Sequence, residues 1–103
     1  MTKTEIFANI LHIVCIETEI SMEKLLSDSK ETEVVDARYL LVYFLARQGL
    51  YSSFIANQIN KSERAVNYIL SNFENRLEQT KIMRINNENI QKKIRNNQFC
   101  INP

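Results

Sequence analysis

Phe54-Ile55-Ala56-Asn57-Gln58-Ile59-Asn60-Lys61-Ser62-Glu63-Arg64-Ala65-Val66-Asn67-Tyr68-Ile69-Leu70 is the stretch on which the reading of this chain turns. Two short helices that cross at a steep angle make four demands on a sequence. A small residue must stand where the backbones approach, and Ala56 does. The turn needs a residue that tolerates a left-handed backbone, and Asn60 is the best choice after glycine. The second helix needs a cap, which Ser62 supplies. Apolar residues three apart must then face the core, and Val66 and Ile69 do. The spacing Ala56, Asn60, Val66, Ile69 is that of a DNA-binding helix-turn-helix, with Ile55 and Ile59 completing the apolar side of the first helix. The plainer alternative is an αα-hairpin with a solvated polar face.

With Val66, Ile69, Leu70 and Phe73 turned inward, steps of about 100° per residue put Glu63, Arg64, Asn67, Tyr68 and Ser71 outward. These are the candidate base-contacting residues. An arginine pairs bidentately with guanine and an asparagine with adenine; Ser71 and Tyr68 suit phosphate or base edges. Lys61 and Ser62, at the head of the helix, are candidate phosphate contacts.

Helical periodicity extends outward over nearly the whole chain. Ile6, Ile10, Ile13 and Val14 form a stripe, and Thr2 with Glu5 reads as a capping box, predicting a helix over 4–17. Ser21 is a good cap for a short helix over 22–27, after which Ser27-Asp28-Ser29-Lys30 reads as a loop. Residues 31–48 carry YLLVYFLA, apolar nearly all round, so this helix of about 27 Å should be central and buried on most sides. Gly49 follows at the place of a C-terminal capping glycine. Helices over 53–59 and 62–79 form the helix-turn-helix region, 53–79. Ile90 and Ile94 predict a last helix over 86–98, capped by Asn86, with Phe99 to Pro103 fraying.

The composition agrees. The chain has 103 residues with 45% hydrophobic and 24% charged, but only one Gly and one Pro. Turn-rich β architectures need many of both, so the expected class is all-α: a compact helical domain of five to six helices. A single Gly also rules out the glycine-rich phosphate loops of ATPases and dinucleotide enzymes. Cys15 and Cys100, with His12 as the single histidine, build neither a disulfide framework nor a metal cluster. No cofactor and no enzymatic activity are expected, since no nucleophile with a base and no carboxylate pair stands out. The first residues lack the features of a secretory signal, and the longest apolar run, Tyr39 to Ala46, is too short to span a bilayer. A cytoplasmic location without membrane contact follows as the expectation.

Charge is divided unevenly. Residues 1–36 hold three lysines against eight acids, a net of −5; residues 37–103 hold ten Lys and Arg against four Glu, a net of +6. A basic half is compatible with an anionic partner.

Three pieces in series carry a family resemblance: Ile20-Ser21-Met22-Glu23-Lys24-Leu25-Leu26-Ser27, then Val35-Asp36-Ala37-Arg38 opening the long apolar helix, then the helix-turn-helix. Over about residues 10–78 the chain resembles the C-terminal DNA-binding domain of the bacterial replication initiator DnaA. The resemblance implies a Trp-repressor-like helical fold and double-stranded DNA as partner. That family opens its recognition helix with a GRDHTT-like motif; here Asn60-Lys61-Ser62-Glu63-Arg64-Ala65 stands in its place, keeping the basic residue and the following Val66 in kind. It also implies a minor-groove role for Lys30 and a phosphate contact for Arg38. The family's ATPase module is missing, so the expectation is a free-standing relative that regulates transcription or replication. The alternative is a protein–protein interaction module that keeps the fold without binding DNA.

The domain so read covers 1–80. Residues 81–103 add Lys81, Arg84, Lys92, Lys93 and Arg95 beside Ile82, Ile85, Ile90 and Ile94. This extension is a basic arm on DNA with Lys81 as a phosphate contact, a homodimer-forming helix, or a helix folded onto the domain.

Overall fold

Why these residues form helices is visible at their ends. In a computed structural model that describes residues 1–97, α1 spans Lys3–Thr18 and starts on the capping box that Thr2 and Glu5 spell out. The Glu5 amide donates to Thr2 Oγ1 at 3.1 Å and the Thr2 amide to Glu5 Oε1 at 2.8 Å, so two of the orphan amides of the first turn are satisfied reciprocally. α2 is a single turn, Met22–Leu25, capped by Ser21. It is shorter than the expected 22–27, because Ser27 turns its hydroxyl back onto the Lys24 carbonyl at 2.6 Å and ends the helix.

α3, Thr32–Arg47, is the axis of the molecule and packs against α1, α2, α4 and α5. Val34, Ala37, Leu40, Leu41, Val42 and Leu45 are all fully buried, which its apolar middle dictates. Its end is a Schellman turn. The Gly49 amide donates to the Ala46 carbonyl and the Leu50 amide to the Leu45 carbonyl, with Gly49 at φ 91° where an L-residue would be strained. Leu50 then plugs the core.

α4, Ser52–Ile59, and α5, Glu63–Gln79, follow within one residue of the expected bounds. α6 runs Lys81–Asn97 and begins five residues before the expected start. Thr80, extended at φ −136° and ψ 141°, breaks α5 and accepts a hydrogen bond from the Met83 amide on its Oγ1 at 3.2 Å. Thr80 is thus the cap, and Asn86 is an internal residue of α6. The proposed helix end at Gln98, Cys100 and the segment Phe99 to Pro103 lie outside the described residues.

α6 is folded onto the domain. It packs on α1 and α5, with Met83, Ile90 and Ile94 buried in the same core as the rest. Lys93 reaches Glu17 of α1 at 2.7 Å. Ile82 and Ile85 stay exposed on its outer side. The result is a compact all-α domain, with six helices and no strand among the described residues. No helix among them is long and apolar enough to cross a membrane.

Candidate functional site

The corner between α4 and α5 is built as its sequence requires. Asn60 adopts φ 58° and ψ 47°, and the amides of Asn60 and Lys61 both donate to the Ala56 carbonyl, closing the end of α4. Two residues later Ser62 is extended, and its hydroxyl accepts from the Ala65 amide at 3.0 Å. Ala56 is buried together with Ile55, Ile59, Val66, Ile69 and Phe73. A larger side chain at Ala56 would therefore have to displace core neighbours.

The opposite face of α5 is free. Glu63, Arg64, Asn67, Tyr68 and Ser71 are all exposed, Tyr68 at 62%. Asn67 is held by Ser52 at the start of α4, whose hydroxyl donates to Asn67 Oδ1 at 2.7 Å. Ser71 donates to the Asn67 backbone carbonyl at 2.9 Å. Arg64 has no carboxylate within ion-pair distance among the described residues.

The first turns of α3 and α5 flank an open groove of about 490 Å³ with mainly apolar walls. Lys30, Arg38, Lys61, Ser62, Arg64 and Tyr68 all border it, so six of the ten expected site residues converge on one place. Glu63, Asn67 and Ser71 continue that surface along α5 without lining the groove. Lys81, exposed at the first turn of α6, is not brought to it.

Two cations of the set already have partners within the chain. Arg38 is the first. It is only 8% exposed, and its guanidinium donates to three backbone carbonyls: Leu25 at 3.2 Å, Ser29 at 3.3 Å and Ser27 at 2.7 Å. Three of its five N–H donors thus tie the end of α2 and the loop that follows it to α3. Burial pushes the Arg38 pKa down. Arg38 thus scaffolds the groove wall, with three of its N–H groups committed to backbone carbonyls.

Lys61 is the second. Its ammonium sits 2.5 Å from Asp28 Oδ1 and is 22% exposed, against 96% for its partner. The hydrogen bond and charge of Lys61 hold the Asp28 carboxyl below the usual carboxylate range. Lys30, on the same rim, has no ion-pair partner among the described residues.

Two residues of the site had not been anticipated. Asp28 stands 33 positions from Lys61, and no local pattern joins them. Tyr39, read as core, also lines the groove, under the Arg76 guanidinium at 4.9 Å from its ring centre. Arg76 in turn pairs with Asp36 at 2.5 Å, bolting α5 to α3 behind the groove. Among the described residues no cluster of His, Cys, Asp and Glu is arranged to hold a metal ion. Cys15 is half-buried, and burial pushes its thiol up, away from the reactive thiolate.

No family model, curated protein or solved structure matches this chain.

Proposed function

We propose that the chain is a DNA-binding protein that docks α5 in the major groove as the recognition helix of a helix-turn-helix, and so regulates transcription or replication. The observation that carries the reading is the exposed polar face of α5, Glu63 to Ser71, continuous with a groove rimmed by the unpaired charges of Lys30 and Arg64. B-DNA's major groove is about 12 Å wide and admits one helix. Arg64 suits the O6 and N7 of a guanine, and Asn67 an adenine once its amide lets go of Ser52. Glu63 suits the amino group of cytosine. Lys30, Lys61 and Ser62 would position the helix on the backbone. The DnaA-like pieces of the sequence point the same way. A homodimer through α6 would have to use Ile82 and Ile85, since the other isoleucines of that helix are buried.

Lys61 must leave Asp28 to reach a phosphate, so one carboxylate is exchanged for one phosphate. With Lys30, Lys61 and Arg64 as the cations, log K should fall against log salt with a slope of about −2 to −3. Anisotropy of a labelled random duplex, titrated from low to high potassium chloride, measures it. A flat response, or no binding at low salt, overturns the reading.

A second reading has its own support. The groove walls are mainly apolar, Tyr68 is exposed beside them, and Lys61 is already neutralised. These features favour a protein–protein interaction module that captures an apolar segment. It predicts tight partner capture that is insensitive to salt.

A further inference from the structure

At the far end of α3 from the groove lies a second concavity, a cleft of about 180 Å³ between the C-terminal halves of α3 and α6. Arg47 of α3 and Arg95 of α6 both line it, with the amides of Gln48 and Gln91, and no carboxylate lines it among the described residues. Neither arginine has an ion-pair partner among the described residues, although this chain pairs four other cations with acids. Each arginine complements the negative end of its own helix, but that does not require two guanidinium groups to share one small cleft. Two like charges converging without a counter-charge repel, unless an anion joins them.

We propose that this cleft binds a phosphate group. The charge and the donor count single out phosphate over a carboxylate. Two guanidinium groups and two amides present more donors than two carboxylate oxygens can accept, whereas phosphate offers three or four oxygens and a charge between −1 and −2. Part of the site is preorganised. The Tyr43 ring stacks on Phe73 at 3.9 Å, and Arg47 donates to the Tyr43 hydroxyl at 2.9 Å, which holds the guanidinium at the mouth of the cleft. Phe44 and Ile94, both buried, back the cleft on its apolar side. The phosphate belongs either to a small free phosphate compound or to a nucleic-acid backbone.

The test is an NMR titration of the whole chain with inorganic phosphate against chloride at constant ionic strength, reading the arginine side-chain Nε–H signals. Saturable shifts at Arg47 and Arg95 are expected, with half-saturation on the order of 1–10 mM. Arg47→Gln and Arg95→Gln, both at exposed side chains, should fold like the parent and weaken binding by roughly fivefold or more. Arg47→Lys should retain part of it, and Lys92→Gln all of it. A short duplex then separates the sources. If it shifts Arg47 and Arg95 and inorganic phosphate competes, the backbone is the ligand; if it leaves them unmoved, a free phosphate compound is. Shifts that grow linearly without saturation, spread over all arginines, or persist in both glutamine variants overturn the proposal.

Discussion

Arg38→Met removes a guanidinium that donates to the carbonyls of Leu25, Ser27 and Ser29 while nearly filling the same volume. Of the three bonds, the one to Leu25 is fully buried and the other two are partly buried. A buried acceptor left unpaired costs about 1–3 kcal/mol, and the two carbonyls nearer solvent recover part of their loss from water. The methionine returns some apolar burial. The net expectation is a loss of about 2–3 kcal/mol, a large share of the roughly 5–15 kcal/mol that holds a domain of this kind. Melting should fall by roughly 10–20 °C. Arg38→Lys should recover little, because one ammonium cannot span three carbonyls set around a planar fork. The assay is thermal melting by far-ultraviolet circular dichroism, with hydrogen exchange of the amides from 25 to 31 as the local readout. Those amides should lose protection before the rest of the domain. If Arg38→Met melts like the parent and only weakens duplex binding, the guanidinium is a phosphate ligand and the scaffold role assigned to it is wrong.

Ala56→Leu should overpack the α4–α5 corner, cost about 1–3 kcal/mol and lower the melting temperature by several degrees, whereas exposed Asn67→Ala should shift melting little while changing duplex preference; equal melting of the two would place Ala56 outside the core. Asp28→Asn releases Lys61, so duplex affinity should rise and the salt slope should move to the steep end of the range, about −3; unchanged binding would remove Lys61 from the interface. The same variant carries a pH signature. The Asp28 pKa is depressed in the folded chain, so its contribution is present above the unfolded value near 3.9 and lost as pH falls through the folded value. Parent and variant should therefore differ slightly in stability at neutral pH and converge in acid. Ile90→Ala should cost about 2–5 kcal/mol by urea denaturation, because Ile90 is fully buried between α6 and its neighbours; a loss below about 0.5 kcal/mol would mean that α6 is a dispensable arm.

Helix identity and the α4–α5 corner were legible because their causes are local. A capping box, a serine cap, a left-handed asparagine and a C-terminal glycine each act within five residues, and the apolar period tells which side of a helix faces inward. Hence Glu63, Arg64, Asn67, Tyr68 and Ser71 are exposed where their spacing places them. The start of α6 was misplaced for an equally local reason. Thr80 and Asn86 are both competent caps, and tertiary burial of Met83 favoured the earlier one.

The sequence by itself determined an all-α chain, its α4–α5 corner and the polar face of α5, since backbone propensity, capping and periodicity act over a few residues. Only the tertiary structure decided which cations are free. Arg38 is tied to carbonyls 9 to 13 positions away, Lys61 to Asp28 at 33, and Arg76 to Asp36 at 40, whereas Arg47 and Arg95 line one cleft with no acid among the described residues around it. A side chain's charge is written in its residue type, but its partner is set by which loops and helices the buried core brings together, and that packing is a property of the whole chain.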